Sequence, residues 1–406
     1  MKIALLTGSS LSWNPRAFKE AAALVRAGHE VVVLGSSWVA ERFEADMALA
    51  RTGGFTFQSA LRGGGWRTAA ARARGRAGRI LFGLTGIETS WQIGPILGDL
   101  LRSALRADAD YYIAHSEHGA WVGRRLLGAG RKVGIDMEDW YSEDLLPETR
   151  KLRPIRTLRE LERTLLRDGG HSTCTSLAMS TALASAYGCR PPLVIYNAFP
   201  WSDRNKLDGA RKDRRGPASV SIHWVSQMLG YGRGLEDLFA ALPRVHGAYE
   251  LHLRGFRRPG FDEWFGSSVP ASIRNRVFVH DPVDNAELLS RISEHDIGFA
   301  GEMKYCASKD LTVSNKILHY MLGGCAVVAS DTAGQKEVAA MAGGAVSIYP
   351  SGDSEALAAA LNAWIDSRDR LNAAKAAALS AARGTFCWEQ QERALVDAVA
   401  SAARGS

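Results

Sequence analysis

Cysteine is scarce and scattered. Five residues stand at 174, 189, 306, 325 and 387, none in a CxxC pair and none at a His/Cys spacing that suits zinc. That excludes a disulfide framework and a zinc module, and fits reduced thiols in a cytosolic protein. An apolar run of about 18 residues, the least that spans a bilayer, is missing. The apolar part of MKIALLTGSS is too short for a secretory leader. Only Gly8 and Gly35 lie near the first strand-like segment, so the GxGxxG dinucleotide fingerprint is missing too. No nucleic-acid motif accompanies the formal charge of +7, so nucleic acid is not an expected partner. A last absence is local. Residues 47–87 hold Arg51, Arg62, Arg67, Arg72, Arg74, Arg76 and Arg79, and not one acid.

What is present is ordinary core material, 46% hydrophobic and 23% charged over 406 residues, enough for two domains. KIALLT, a polar loop GSSLSWNP, the helical pattern RAFKEAAALVRAGH and EVVVLG make a parallel βαβ unit at the start. DYYIAH (110–115), KVGIDMED (132–139) and LVIYNAF (193–199) read as further strands, and RTLRELERTLL as an amphipathic helix. Residues 200–217 are polar, charged and bracketed by prolines, the composition of a linker. The pattern then restarts with SVSIHWVS, a glycine loop QMLGYGRG, LEDLFAAL, YELHLRG, RVFVHDPV, NAELLSRI and DIGFAG, and the end is Ala-rich and helical. The expected fold class is therefore α/β, two Rossmann-like doubly wound parallel sheets, with ligands off the carboxyl ends of the strands.

Two helix starts in the second half are suited to an anion. In SNKILHYMLGG, Ser314 or Asn315 caps a helix and Lys316 lies in its first turn, where a cation is disfavoured unless it shares an anion with the free amides. In QMLGYGRGLED, Gly230, Gly232 and Gly234 surround Arg233 ahead of a helix, and a guanidinium forks onto phosphate oxygens. In the first half, His115, Glu117, Asp136, Glu138 and Asp139 follow strand ends, where a carboxylate can orient or deprotonate a hydroxyl. DAD at 108–110 precedes a strand instead of following one, so it reads as a helix end and no metal is expected. The arginine-rich stretch, with Trp66, Ile80, Leu81 and Phe82 and with Gly63–Gly65 as a mobile loop, suits an anionic lipid surface or a lipid diphosphate, or else is a solvated basic loop.

The segments SIHWVSQMLGYGRGLEDLFAAL, VFVHDPVDNAELLSRISEHDIGFA and SNKILHYMLGGCAVVASDTAGQKEV, in that order, resemble the donor-binding domain of a GT-B glycosyltransferase of family 4. NPRAFKEAAALVRAGHEVVVL and CWEQQE resemble that family's opening and closing segments. The resemblance implies an acceptor domain over 1–199, a linker at 200–217, a donor domain over 218–385 and a final helix, 386–406, packing back on the first domain, with a cleft between domains. It implies a retaining transferase with a nucleotide-diphosphate sugar as donor substrate, no cofactor, and a glycan or lipid-linked acceptor. Cations on the phosphate would remove the need for a metal, the scattered cysteines point to a cytoplasmic place, and the arginine-rich stretch points to peripheral contact with the inner face of the membrane. Arg233 and Lys316, with the amides around Asn315 and the cap Ser314, would hold the pyrophosphate. Gln227 and Gly230 lie in the same loop, and Pro282 and Val283 fall where the nucleobase is held. His115 matches a histidine near the sugar, with Glu117, Glu138 and Asp139 as its acidic neighbours, and Ser10, Ser12 and Asn14 lie in the acceptor-side loop. The family's two glutamates, eight positions apart, fall on Leu311 and His319, and a common acceptor-side histidine is Glu138. These departures keep two other readings in view, a silent nucleotide- or glycan-binding partner subunit and a nucleotide-sugar epimerase of the same architecture.

Overall fold

The computed structural model describes residues 1–37, 40–62, 65–216 and 218–404. The chain divides into two compact units, Met1–Ile195 with Cys306–Ser308 and Glu392–Ser406, and Tyr196–Tyr305 with Lys309–Gln391.

The first unit is built on seven strands: β1 (Lys2–Leu6), β2 (Glu30–Ser37), β3 (Thr56–Arg62), β4 (Tyr111–His115), β5 (Val133–Met137), β6 (Ser172–Cys174) and β7 (Leu193–Val194). They pair in parallel in the order β3-β2-β1-β4-β5-β6-β7. β4 and β5 are buried at every position, which is why they read as unbroken apolar runs. The helix Pro15–Arg26 starts with proline at its first position, and the Asn14 carboxamide oxygen accepts from Ala17 N at 2.9 Å. The chain leaves β1 toward one edge of the sheet and returns to β4 on its other side. The switch point thus lies between the carboxyl ends of β1 and β4.

The second unit has β8 (Val220–Leu229), β9 (Tyr249–Arg257), β10 (Val277–His280), β11 (Ile297–Ala300), β12 (Ala326–Ser330) and β13 (Val346–Tyr349), again all parallel, in the order β10-β9-β8-β11-β12-β13. Trp224, Leu251, Leu253, Phe239 and Phe299 fill its core. Its switch point lies between β8 and β11, the strands followed by the glycine loop and by Gly301–Glu302.

Three local expectations change. LVIYNAF forms a strand only at Leu193–Val194, where the sheet ends and only one neighbour is available. The arginine-rich stretch is not a loop. After the helix Ala40–Gly53 it forms edge strand β3 and the 21-residue helix Gly65–Thr85, because alanine and arginine outweigh the interspersed glycines. Of the glycines read as a mobile loop, Gly63 and Gly64 lie outside the described residues. Residues 200–217 are counted with the second unit. Trp201–Lys206 is a 3-10 helix, buried Asp213 accepts from Arg254 Nη2 at 2.5 Å, and Arg214 Nη2 lies 2.8 Å from Asp296 Oδ2. Charges that look solvent-seeking in sequence are paired across elements here.

Candidate active site

In the second unit the two anion-suited helix starts flank one switch point. Ser314 caps the helix Asn315–Gly323, its hydroxyl accepting from Lys316 N at 3.4 Å. The same hydroxyl donates to Glu302 Oε1 at 2.8 Å, and Lys316 Nζ lies 2.6 Å from that oxygen. Lys316 Nζ also stands 5.6 Å from the centre of the Trp224 ring. The anion that a lysine at a helix start calls for is thus supplied by the protein itself. Burial pushes the Glu302 carboxyl up, and Lys316 followed by the Ser314 hydrogen bond more than reverses this, leaving it below the usual carboxylate range. The Glu302 backbone is clamped as well: its N–H donates to Ser330 Oγ at 2.8 Å and its carbonyl accepts from that hydroxyl at 2.7 Å. Glu302 was not singled out in the sequence. Its signal is a carboxylate two residues past the end of an apolar strand, which only the topology turns into a site.

Arg233 leaves β8 in an exposed loop and donates through Nη1 to Ser226 Oγ at 3.0 Å. Gly234 has φ +80°, and an added Cβ would stand 2.5 Å from the Gly301 carbonyl oxygen. The glycine therefore lets the loop close onto the strand end beside Glu302. Gly230 packs against the Arg258 side chain, whose guanidinium stands 5.1 Å from the Tyr231 ring centre, a second basic group that the sequence reading missed. Gln227 is exposed on β8, where its register with β9 shifts. Pro282 and Val283 are half-buried just past β10, two strands from β8 and so roughly 10 Å away. Buried Arg254 donates to the Asp281 carbonyl and fixes that turn. Asn315 is exposed and accepts from Asn197 Nδ2 at 3.0 Å. His319 stacks on Phe199, with ring centres 4.1 Å apart and planes 18° apart.

In the first unit, His115 ends β4 but is not open to a ligand: it has no exposed surface. Its Nε2 lies 2.7 Å from Glu20 Oε2 and its Nδ1 2.8 Å from Glu138 Oε1, with Asp136 Oδ2 at 3.4 Å. Burial pushes the imidazole pKa down, but Glu20, Glu138 and Asp136 together hold it well above the ordinary value. Asp136 is gripped by Arg16, Nε to Oδ2 at 2.5 Å and Nη2 to Oδ1 at 2.7 Å, and Thr173 donates to Oδ1 at 2.6 Å. Glu20, His115 and Asp136 form a trio of metal-ligand type. The Arg16 guanidinium already occupies both Asp136 oxygens, so its charge stands where a cation's would. Glu138 also accepts from Asn14 Nδ2 at 2.7 Å, which joins the acceptor-side loop to the histidine.

That loop is organised by another residue missed in the sequence, Asp46. It is fully buried and accepts from Ser10 Oγ at 2.7 Å, Ser12 N at 2.9 Å and Ser37 Oγ at 2.6 Å. Glu117 is half-buried and paired with Arg153, and Asp139 is half-buried beyond β5. His118 packs against both Gly8 and Gly94, with burial and then Arg153 pushing its pKa down to about 4. The DAD stretch lies at the amino end of β4, away from the switch point. Asp108 ends a helix in the left-handed region and pairs with Arg131 at 2.9 Å, and Asp110 accepts from Lys2 N at 2.7 Å.

Residues 220–367 match the family model described as Glycosyl transferases group 1. The whole chain is similar in structure to HepE of Anabaena, solved in complex with UDP, at TM-score 0.70 and 18% identity, covering 99% of this chain and 100% of that one. It is similar to sucrose-phosphate synthase from Thermosynechococcus elongatus at TM-score 0.71 and 14% identity, with 100% of each chain covered. A putative UDP-N-acetylglucosamine 2-epimerase from Listeria monocytogenes follows at TM-score 0.58 and 12% identity, covering 100% of this chain and 97% of that one. No curated protein matches. The chain thus has a GT-B fold, and the match to the group 1 glycosyltransferase model lies within its second unit.

Proposed function

We propose that this chain transfers a sugar, with retention, from a nucleotide-diphosphate sugar to a glycan or lipid-linked acceptor, without a metal, as a family 4 enzyme of polysaccharide or glycoconjugate synthesis. The observation that carries the reading is the capped helix start at Ser314–Lys316, inside the matched domain and beside the Arg233 loop across the β8/β11 switch point. HepE, of the same fold, has been solved with UDP-glucose, which makes a uridine donor the first to try.

The chemistry is mostly charge. As the glycosidic bond breaks, negative charge builds on the β-phosphate of the leaving nucleoside diphosphate. The Asn315 amide, the Lys316 ammonium and the Arg233 guanidinium stabilise it, and Pro282 and Val283 border the base. Lys316 is held by Glu302 before the donor arrives, so little reorganisation is needed when it does. In the first unit the Asn14–Glu138–His115 chain fixes the loop bearing Ser10 and Ser12, against which the acceptor would rest, with Glu117 and Asp139 nearby in sequence. His115 acts through that chain as a positioning residue.

The test is a thermal-shift screen with UDP-, GDP- and ADP-sugars, followed by an assay of sugar release. A ligand at about a hundred times its Kd contributes roughly 2.7 kcal/mol, which for a domain of this size raises Tm by about 5–11 °C. Arg233→Ala should lower turnover on the order of 10²–10³-fold with the fold intact, since the side chain is exposed. Stabilisation without turnover would favour a silent partner subunit, a reading that His319, stacked flat on Phe199 where the family has a glutamate, supports. Release of an epimerised free sugar would favour the epimerase.

A further inference from the structure

The helix Gly65–Thr85 has one buried face and one exposed face. Thr68, Ala71 and Gly78 are buried, and a Cβ at Gly78 would stand 2.9 Å from Trp91 Cβ. At 3.6 residues per turn the opposite ridge runs Trp66, Ala69, Ala73, Ala77, Ile80 and Leu84, stepping by three or four each time, and all six are exposed. Trp66 is 76% exposed, Ile80 56% and Leu84 80%. The ridge is about 27 Å long. Arg72, Arg76 and Arg79 flank it on one side and Arg74 on the other, all exposed, and among the described residues none of the four is paired with a carboxylate.

We propose that this face docks on an anionic lipid bilayer, the helix lying in the plane of the headgroups with its apolar ridge toward the acyl chains. A ridge of apolar side chains rimmed by arginines is what an interfacial helix presents, with the guanidiniums at the depth of the lipid phosphates. The charge argues against a second copy of the chain as the occupant: a self-pair would set arginine rims against each other, with no acid between residues 47 and 87 to offset them. The inference is independent of the donor site.

Co-sedimentation of the full chain with sucrose-loaded vesicles tests it, using phosphatidylcholine alone or mixed with phosphatidylglycerol, at low and high salt. Binding should require phosphatidylglycerol and fall with salt. Arg72→Gln with Arg76→Gln should weaken it about 30-fold, roughly fivefold per arginine. Ile80→Glu with Leu84→Glu should abolish it at unchanged Tm. Equal binding to neutral vesicles, or none to anionic ones, overturns the proposal. So does a concentration-dependent dimer that Leu84→Glu dissolves, since the ridge would then be covered by a second copy.

Discussion

Replacing Lys316 with methionine separates the lysine's role in the fold from its role on phosphate. In the free protein the ammonium pairs with Glu302, the two side chains keeping 13% and 26% of their exposure. Breaking a fully buried pair costs about 3–5 kcal/mol and losing an exposed one under about 1 kcal/mol. This half-buried pair falls between, at about 2 kcal/mol, most of it the carboxylate left without its cation. A domain of this size shifts by roughly 2–4 °C per kcal/mol, so Tm of the second unit should drop by about 4–8 °C. Release of nucleoside diphosphate from the donor should fall on the order of 10²–10³-fold. The double variant Lys316→Met/Glu302→Gln removes the stranded charge and should recover most of the Tm, while turnover stays at the level of the single variant. Calorimetry and donor turnover on the three proteins decide it. Recovery of turnover together with Tm would show that the lysine serves only the fold, and the phosphate assignment would be withdrawn. An unchanged Tm in the single variant would refute the ion-pair argument itself.

Gly234→Ala should lose at least tenfold in donor affinity by calorimetric titration, since a Cβ at φ +80° has only 2.5 Å to the Gly301 oxygen. The second unit buries His223 and His252, whose pKa values burial and then His295 push down, that of His252 to about 2. Their folded pKa values lie below the unfolded one, so the unfolded chain takes up protons first and stability should fall as pH drops below about 6.5. Urea titrations at several pH values should show this, with a flatter slope for His223→Phe. His115 has the opposite sign. Raised in the fold, its contribution is full below about 6.5 and is lost only as pH climbs through the folded value, so nitrogen NMR should still find it protonated well above neutral pH. His115→Leu should cost about 3–5 kcal/mol by leaving buried carboxylates without their cation.

The buried strands were readable in the sequence because a parallel sheet covered on both faces leaves an unbroken apolar signature, as in KIALL, YYIAH and AVVAS. Edge strands leave none. TFQSALR mixes polar and apolar residues without a clean period inside an arginine-rich stretch, and the last strand of the first sheet shrinks to two residues. Ser314 and Lys316 were readable because a cap and a misplaced cation are local features. Their partner Glu302 was not, because it lies twelve positions before the cap, with a short helix between. The same holds for Arg16 on Asp136 and Ser10 on Asp46, joined across 120 and 36 positions. A chain without its fold names the charges but not their couples. Asp213 shows the cost, a buried acceptor for Arg254 inside what looked like a linker.

The last helix, Trp388–Arg404, gives its residues from Glu392 onward to the first unit, with Leu395 and Val399 buried, Glu392 paired to Arg26 at 2.6 Å and Lys132 Nζ bonded to the Ala403 carbonyl at 2.7 Å. The first unit therefore cannot finish assembling when its own two hundred or so residues leave the ribosome. It must wait, with an apolar seam uncovered, until everything from Tyr196 to Gln391 has been synthesised. A nascent chain arrested before Glu392 should be more open to protease in its N-terminal half than one released in full.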